Sequence, residues 1–398
     1  MSLNNTPRAN RLHIAIFGKR NSGKSSLINA LTGHNVSLVS DQPGTTTDPV
    51  FKSMELHPVG PVVFIDTAGF DDVGELGLMR VERTREVIDK TDVAIILFDN
   101  EDFSQEKKWL EKLEASNIPV IPVVSKADEL DEDSLLTREI KEDMGIEPVL
   151  VSALQGDGME HIRQAIANAV PEDFKRKRIL ENMVNKGDLV LLVMPQDIQA
   201  PKGRLILPQV QTIRELLDNR CVTVCATADG LKRSLDALSR APELIITDSQ
   251  CFKQVCEKKP KKSRLTSFSV LFAAYKGDIN VFTQGAAAMD GLTASSVILI
   301  AEACTHAPLE EDIGRVRIPK LLRQRIGQDL RIDIVSGSDF PEDLTPYDLI
   351  IHCGACMFNR RHVLSRVAQA QAAGVPITNY GIAMAKLNGI LSRIQLPE

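Results

Sequence analysis

Three things that the sequence lacks narrow the function classes open to it. Its 398 residues contain no apolar run near the roughly 20 residues that a membrane helix needs, so no membrane association is expected. The polar residues 1–11 lack the apolar core of a signal peptide, which predicts a cytoplasmic protein. The net charge of -6 and the 4% of aromatic residues argue against a basic, ring-lined nucleic-acid surface.

The cysteine content indicates ligands rather than disulfides. Seven cysteines are an odd number and show no pattern of a small disulfide-rich domain, so reduced thiols are expected. Four of them are predicted to be ordinary buried thiols: Cys221, Cys225, Cys251 and Cys256. A chain of this length also predicts two or three domains.

The first motif is a phosphate-binding loop between a predicted strand, residues 12–17, and a predicted helix, residues 26–31. It reads G-x-x-x-x-G-K-S from Gly18 to Ser25. In such a loop the backbone N–H groups bind phosphates, Lys24 reaches the terminal phosphates and Ser25 ligates Mg²⁺. The motif predicts a nucleotide site formed by Gly18, Asn21, Ser22, Gly23, Lys24, Ser25 and Ser26.

Later motifs decide which nucleotide binds. Asp66 follows a predicted strand and is placed to hold Mg²⁺ through water, and the Gly69 N–H is placed to meet the γ-phosphate. The stretch Ser125-Lys126-Ala127-Asp128 follows another strand, and Asp128 can accept two hydrogen bonds from guanine that adenine cannot donate. The remaining predicted base-site residues are Lys126, Ser152 and Ala153.

These motifs, in this order, resemble a small GTPase of the translation-factor-like class over residues 12–170. The resemblance implies binding of GTP, GDP and Mg²⁺, with Lys24, Thr46, Asp66 and Gly69 as catalytic residues and with Thr46 as a second Mg²⁺ contact. Two departures matter. Ser125 replaces the usual Asn, which weakens guanine contacts, and Phe70 replaces a water-orienting Gln. Asn21 matches a K⁺ ligand of potassium-activated GTPases, so hydrolysis is predicted to be stimulated by K⁺; alternatively, Asn21 only shapes the loop.

Two groups of metal-binding residues follow predicted strands near the C-terminus. Cys304 and His306 follow the strand at 297–301, and His352, Cys353 and Cys356 follow the run at 347–351. Ligands bind beyond the carboxyl ends of parallel strands, so the two groups are expected to converge. Their spacing leaves three sites open: tetrahedral zinc, a [4Fe–4S] cluster held by three thiolates, or a redox disulfide between Cys353 and Cys356. The nearby His362 is predicted to lie on the surface.

A GTPase with a C-terminal Cys-x-His…His-Cys-x-x-Cys set resembles the [FeFe]-hydrogenase maturation GTPases, TrmE/Era-like bacterial GTPases with an iron–sulfur domain. The resemblance covers essentially the whole chain and agrees with the α/β pattern of its segments, which includes a predicted loop of small residues at 285–292 and a predicted helix at about 318–326. It implies a doubly wound P-loop GTPase domain (1–174), a small parallel α/β dimerisation domain (175–262) and an α/β [4Fe–4S] domain (263–398).

The same resemblance implies how the cluster domain would work. Cys304, Cys353 and Cys356 would hold the cluster, with His306 and His352 as further candidate ligands. The protein would be a homodimeric scaffold that receives a transient di-iron precursor from radical-SAM maturases and passes it to apo-[FeFe]-hydrogenase. The rival interpretations are a ribosome- or tRNA-associated GTPase with structural zinc, and a metalloenzyme that GTP regulates.

Overall fold

The computed structural model describes residues 6–32, 49–69, 84, 86–130, 135–195, 205–303, 312–337 and 339–397. The chain forms two compact units, Met1–Arg176 and Lys177–Glu398. The predictions for Thr46, Phe70, Cys304 and His306 lie outside the described residues. Within those residues, no helix is both long and apolar enough to cross a bilayer.

The first unit is built on a mostly parallel sheet with the order β2-β3-β1-β4-β5-β6, in which β2 runs antiparallel to β3. The strands are β1 (Leu12–Gly18), β2 (Val50–Leu56), β3 (Gly60–Asp66), β4 (Val93–Phe98), β5 (Val120–Val124) and β6 (Val149–Leu150). The helices are α1 (Lys24–Thr32), α2 (Ser104–Ala115), α3 (Leu135–Met144), α4 (Met159–Ala169) and α5 (Glu172–Arg176).

Helices cover both faces of this sheet. Every residue of β1 is buried; Ile14 and Ile16 pack into one apolar cluster, whereas Ala15 and Phe17 pack into the other. Successive side chains of a strand point to opposite faces, so a strand covered on both sides is apolar throughout. The doubly wound sheet is therefore confirmed. The antiparallel edge strand β2 was not predicted, because its sequence is half polar.

The second unit contains two parallel four-stranded sheets, ordered β10-β9-β7-β8 and β12-β11-β13-β14. The first has β7 (Leu189–Val193), β8 (Val222–Ala226), β9 (Leu244–Thr247) and β10 (Arg264–Ser267). The second has β11 (Val297–Glu302), β12 (Arg331–Ser336), β13 (Leu349–His352) and β14 (Ile377–Asn379). The helices are α6 (Leu207–Asp218), α7 (Leu231–Asp236), α8 (Phe252–Lys258), α9 (Phe268–Lys276), α10 (Ile279–Ala287), α11 (Ile318–Ile326), α12 (Arg360–Ala372) and α13 (Tyr380–Leu387).

Both sheets of this unit contribute to one apolar core. A single buried cluster contains Leu191 and Ile245 from the first sheet and Leu299 and Ile350 from the second. Strand β10 (Arg264–Ser267) pairs with β9, so residues just after position 263 belong to the first sheet. The predicted boundary between residues 262 and 263 stays a prediction.

The predicted loop at residues 285–292 is wrong in its first part. Helix α10 runs through Gly285 to Ala287 and is followed by a 3-10 turn, Ala288–Asp290. Asp278 caps this helix by accepting the N–H groups of Asn280 and Val281. The small residues that suggested a loop instead let the helix approach the second sheet closely.

Candidate functional site

The predicted phosphate-binding loop lies between β1 and α1. Its backbone needs glycine at two points: a Cβ on Gly18 would lie 2.6 Å from the Ser22 Oγ, and Gly23 has φ of +92°. The Ser25 hydroxyl donates to Asp66 Oδ2 at 2.7 Å. The fold therefore brings together two of the residues predicted to bind Mg²⁺.

Two charged groups of this site lie in buried surroundings. Burial raises the pKa of the Asp66 carboxyl, whereas the Ser25 hydrogen bond and the charge of Lys24 oppose that rise. Lys24 Nζ donates to the Gly18 carbonyl at 3.0 Å and to the Lys19 carbonyl at 2.5 Å. Gly69 is buried three residues beyond Asp66.

Three of the predicted base-binding residues, Lys126, Asp128 and Ala153, line one cavity of about 670 Å³ within the first unit. The fourth, Ser152, is buried and does not line this cavity. It is bounded by Asn21, Gly23, Ser26, Leu27, Asn29, Ala30, Ser125, Lys126, Asp128, Glu129, Val151, Ala153 and Leu154. Lys126 adopts a left-handed backbone with φ of 56°, and its Nζ lies 3.7 Å from Asp99 Oδ2. The Ser125 hydroxyl donates to the Phe98 carbonyl at 3.3 Å, so this serine faces the sheet.

One contact of the phosphate loop was missed by sequence reasoning. Lys19 Nζ lies 3.0 Å from Asn100 Oδ1 and 3.6 Å from the carboxylate of Glu106 on α2. Glu106 is 1% exposed, and burial raises the pKa of its carboxyl. No local sequence signal marks Glu106, because it stands in a charged helix segment next to Lys107 and Lys108, whose side chains are exposed.

The C-terminal cysteines lie where two paired strands end. Strands β11 and β13 are parallel neighbours, and Cys353 directly follows β13. Its Sγ accepts the N–H of Ala303 at 3.0 Å and that of Ala355 at 3.4 Å. Burial raises the pKa of the Cys353 thiol, whereas these two N–H groups oppose the rise. Cys304 follows Ala303 in sequence but is outside the described part of the chain.

His352 is enclosed by protein partners. It is 1% exposed, its Nδ1 lies 2.7 Å from the Cys353 carbonyl and its Nε2 lies 3.1 Å from an N–H group of Arg366. Burial, and secondarily the charge of Arg366, lower the pKa of His352 to about 3. The neutral ring donates through Nδ1 and accepts through Nε2, so this arrangement favours a structural role over metal ligation.

The predicted exposure of His362 and the predicted burial of Cys225 are both wrong. His362 is buried rather than on the surface, and its ring stacks on Phe358 with the ring centres 4.6 Å apart. Cys225 is exposed on β8, which is an edge strand, whereas Cys221, Cys251 and Cys256 are buried as predicted. In the described ranges, no group of three or more His, Cys, Asp or Glu side chains is placed to hold a metal ion.

Comparison with known proteins decides the family. Residues 179–277 match the hydrogen maturase F dimerization domain, and residues 280–397 match the hydrogen maturase F tetramerization domain. Residues 13–126 match the 50S ribosome-binding GTPase family. This chain belongs to the hydrogen maturase F family of GTPases. Its N-terminal unit is a GTPase domain that binds GTP or GDP with Mg²⁺, and its C-terminal unit carries the two oligomerisation domains.

Two curated GTPases each match less than half of the chain. The tRNA modification GTPase MnmE of Endomicrobium trichonymphae is 34% identical over 189 residues, 46% of this chain and 40% of the relative. The GTPase Der of Hyphomonas neptunium is 35% identical over 171 residues, 42% of this chain and 33% of the relative. The chain thus spans less than half of either relative.

A solved structure matches a similar share of the chain. The crystal structure of a single-residue variant of Aquifex aeolicus Era bound to GDP.AlF4- has 22% identity and a TM-score of 0.37. The match covers 54% of this chain and 92% of the Era chain.

Proposed function

We propose that this protein is a GTP-hydrolysing iron–sulfur scaffold for [FeFe]-hydrogenase maturation. It acts in the cytoplasm as a homodimer, receives a di-iron precursor from radical-SAM maturases and transfers it to apo-[FeFe]-hydrogenase. The observation that carries the proposal is the setting of Cys353, whose sulfur accepts two backbone N–H groups at a strand end. Such N–H···S bonds favour a thiolate, which is the form that binds iron.

Cys304, Cys353 and Cys356 are the residues that would hold a [4Fe–4S] cluster. The donor set fits this group: two thiols lie on one loop, and the first of them accepts the N–H of the residue that precedes Cys304. Three protein thiolates ligate three of the four irons, so the fourth iron has an open coordination position. His306 is a further candidate for that position, whereas the hydrogen bonds of His352 make it the weaker candidate.

The role proposed for GTP is to control the exchange of partners. Binding and hydrolysis of GTP reorder the loops around a phosphate site, which gives a GTPase two states with different partner affinities. The ligand pair Ser25 and Asp66 would couple Mg²⁺ to that change.

Anaerobic reconstitution tests the cluster. The wild-type chain should bind iron and sulfide and give a [4Fe–4S] electron paramagnetic resonance signal after reduction. Cys353→Ser should lose that signal and keep GTP hydrolysis, and the matched control Cys251→Ser, which removes a buried thiol elsewhere, should keep both. Bound zinc in place of iron would refute the proposal and favour a GTPase with a structural metal.

Stimulation by K⁺ is the second part of the proposal. Asn21 lines the nucleotide cavity and holds a left-handed backbone with φ of 60°. Glycine adopts this conformation without strain but has no side-chain oxygen. If Asn21 ligates K⁺, hydrolysis is faster in K⁺ than in Na⁺, and Asn21→Gly removes that difference. If Asn21→Gly keeps the difference, the residue only shapes the loop, and equal wild-type rates in both salts contradict K⁺ stimulation.

A further inference from the structure

The side chain of Lys276 ends directly beneath the loop of the two C-terminal cysteines. Lys276 is the last residue of α9 and is 2% exposed. Its Nζ donates to three backbone carbonyls, those of Ala355 at 3.0 Å, Cys356 at 3.2 Å and Phe358 at 2.5 Å. An ammonium group has three N–H donors, so a different N–H can point at each of the three carbonyls.

The burial of this lysine needs an explanation. Removing an ammonium group from water is costly unless other dipoles replace its hydration. The three carbonyls supply that replacement only while the loop turns them toward one point. Lys276 and the loop therefore hold each other in place, although 80 residues separate Lys276 from Cys356 in the sequence.

The loop itself is strained at one residue. Ala355 has φ of 45°, a left-handed conformation that is unfavourable for residues with a Cβ. This conformation directs the Ala355 N–H to the Cys353 sulfur, and the Ala355 carbonyl accepts from both Lys276 and the Phe358 N–H. The contact with Lys276 therefore supports the turn that connects the two thiols.

Lys276 and the cysteine loop belong to different domains of the family. Lys276 falls within residues 179–277, the dimerization domain, whereas the loop falls within residues 280–397, the tetramerization domain. The contact thus joins the last helix of one domain to the cysteines of the other.

We propose that Lys276 is a positioning residue that holds Cys353 and Cys356 in their ligand geometry and places a fixed positive charge beside the metal site. This inference rests on the proposed iron–sulfur function. A positive charge near a cluster stabilises its more negative, reduced form. Removing the Lys276 charge should therefore make the reduction potential of the cluster more negative. Removing its hydrogen bonds should also loosen the loop.

The first measurement uses the full chain without metal, so it does not depend on cluster binding. Each charge-assisted hydrogen bond stabilises the closed loop, so in Lys276→Met the loop should open more often and expose the Cys353 thiol. Alkylation of Cys353 should therefore be at least about tenfold faster. Peptide mass spectrometry of the alkylated protein would measure this rate. Lys253→Met, on the exposed face of α8, is the matched control and should leave the rate unchanged.

The second measurement separates loop geometry from charge. After anaerobic reconstitution, Lys276→Met should bind less iron and sulfide, and its remaining cluster should have a more negative midpoint potential than the wild type. In the double variant Lys276→Met/Ala355→Gly, glycine removes the backbone strain at residue 355. It should recover cluster content but retain the more negative potential.

Lys276→Arg covers the case in which Lys276→Met does not fold. The guanidinium keeps the charge but cannot direct three N–H groups at one point, so cluster content should fall while the midpoint potential stays near that of the wild type. An unchanged alkylation rate in Lys276→Met, or in Lys276→Arg if the first variant is unfolded, would overturn the inference. A wild type that binds no cluster would refute the proposed function, whereas the alkylation result would still decide the positioning role.

Discussion

Replacing Gly285 with alanine has two opposing effects on stability: alanine favours the helix, but its Cβ overlaps with the neighbouring strand. Gly285 lies in α10 on the face that packs against β14, and a Cβ there would lie 1.9 Å from the Ile377 carbonyl oxygen. At the same contact, the Thr378 hydroxyl donates to the Phe282 carbonyl at 2.7 Å. An alanine would therefore push the helix away from the strand, although alanine is the better helix former.

The structure decides which effect is larger. Alanine stabilises a helix interior by about 1 kcal/mol relative to glycine. The added Cβ would start 1.9 Å from the carbonyl oxygen, so an ordinary contact near 3.4 Å requires α10 and β14 to move apart by about 1.5 Å. Such overpacking costs about 1–3 kcal/mol, and weakening the Thr378 hydrogen bond costs about 1 kcal/mol more. Gly285→Ala should therefore lower the free energy of unfolding by about 1–3 kcal/mol.

The two units can be followed separately in this experiment. The three tyrosines lie in the second unit, at positions 275, 347 and 380, whereas the single tryptophan is Trp109 in the first. Urea unfolding followed by the tyrosine band in near-ultraviolet circular dichroism should show a lower midpoint for Gly285→Ala, with no change in tryptophan fluorescence. Gly291→Ala is the matched control, because its Cβ would meet nothing closer than 3.7 Å. A higher midpoint in Gly285→Ala would refute the reasoning.

Two further predictions concern the nucleotide base and pH. Asp128→Asn loses two charge-assisted hydrogen bonds to guanine, so GTP binding should weaken by about 10²–10⁴-fold while binding of xanthosine triphosphate improves; an unchanged ratio of the two affinities by calorimetry would contradict this. Burial raises the pKa of Glu215 above its ordinary 4.5, although the carboxylate accepts the N–H groups of Ile179 and Leu180. The stabilisation from its protonation is complete below pH of about 4.5 and is lost as pH rises through the raised pKa. Glu215→Gln should flatten that part of the pH–stability curve of the second unit, and an unchanged slope in urea unfolding would count against it.

Local spacing alone predicts most of the residues proposed for the nucleotide site. The loop from Gly18 to Ser25, the acidic Asp66 and the base-recognition Asp128 each follow a buried strand, and the sheet aligns the ends of those strands. Apolar runs also identified the strands themselves, because parallel strands covered on both faces are apolar throughout. Helix α11 has the predicted bounds, Ile318–Ile326.

Elements with weak apolar signals were missed. Strand β2 is half polar because it lies at the sheet edge, and β10 is only four residues long and follows a basic segment. Residues around Gly285 were interpreted as a loop because small residues are common in loops. In the fold they are small because α10 and β14 touch there.

The chemical predictions for this chain therefore rest on residue types at fixed short spacings, which include the phosphate loop and the Cys353–Cys356 pair. Which side chains surround those groups was decided only by the packing of the tertiary structure. The enclosure of His352 by Arg366 and the contacts of Lys276 with the cysteine loop join residues that are 14 and about 80 positions apart. Such contacts depend on how the strands and helices pack, and no periodicity or motif in a single sequence encodes which distant side chains meet.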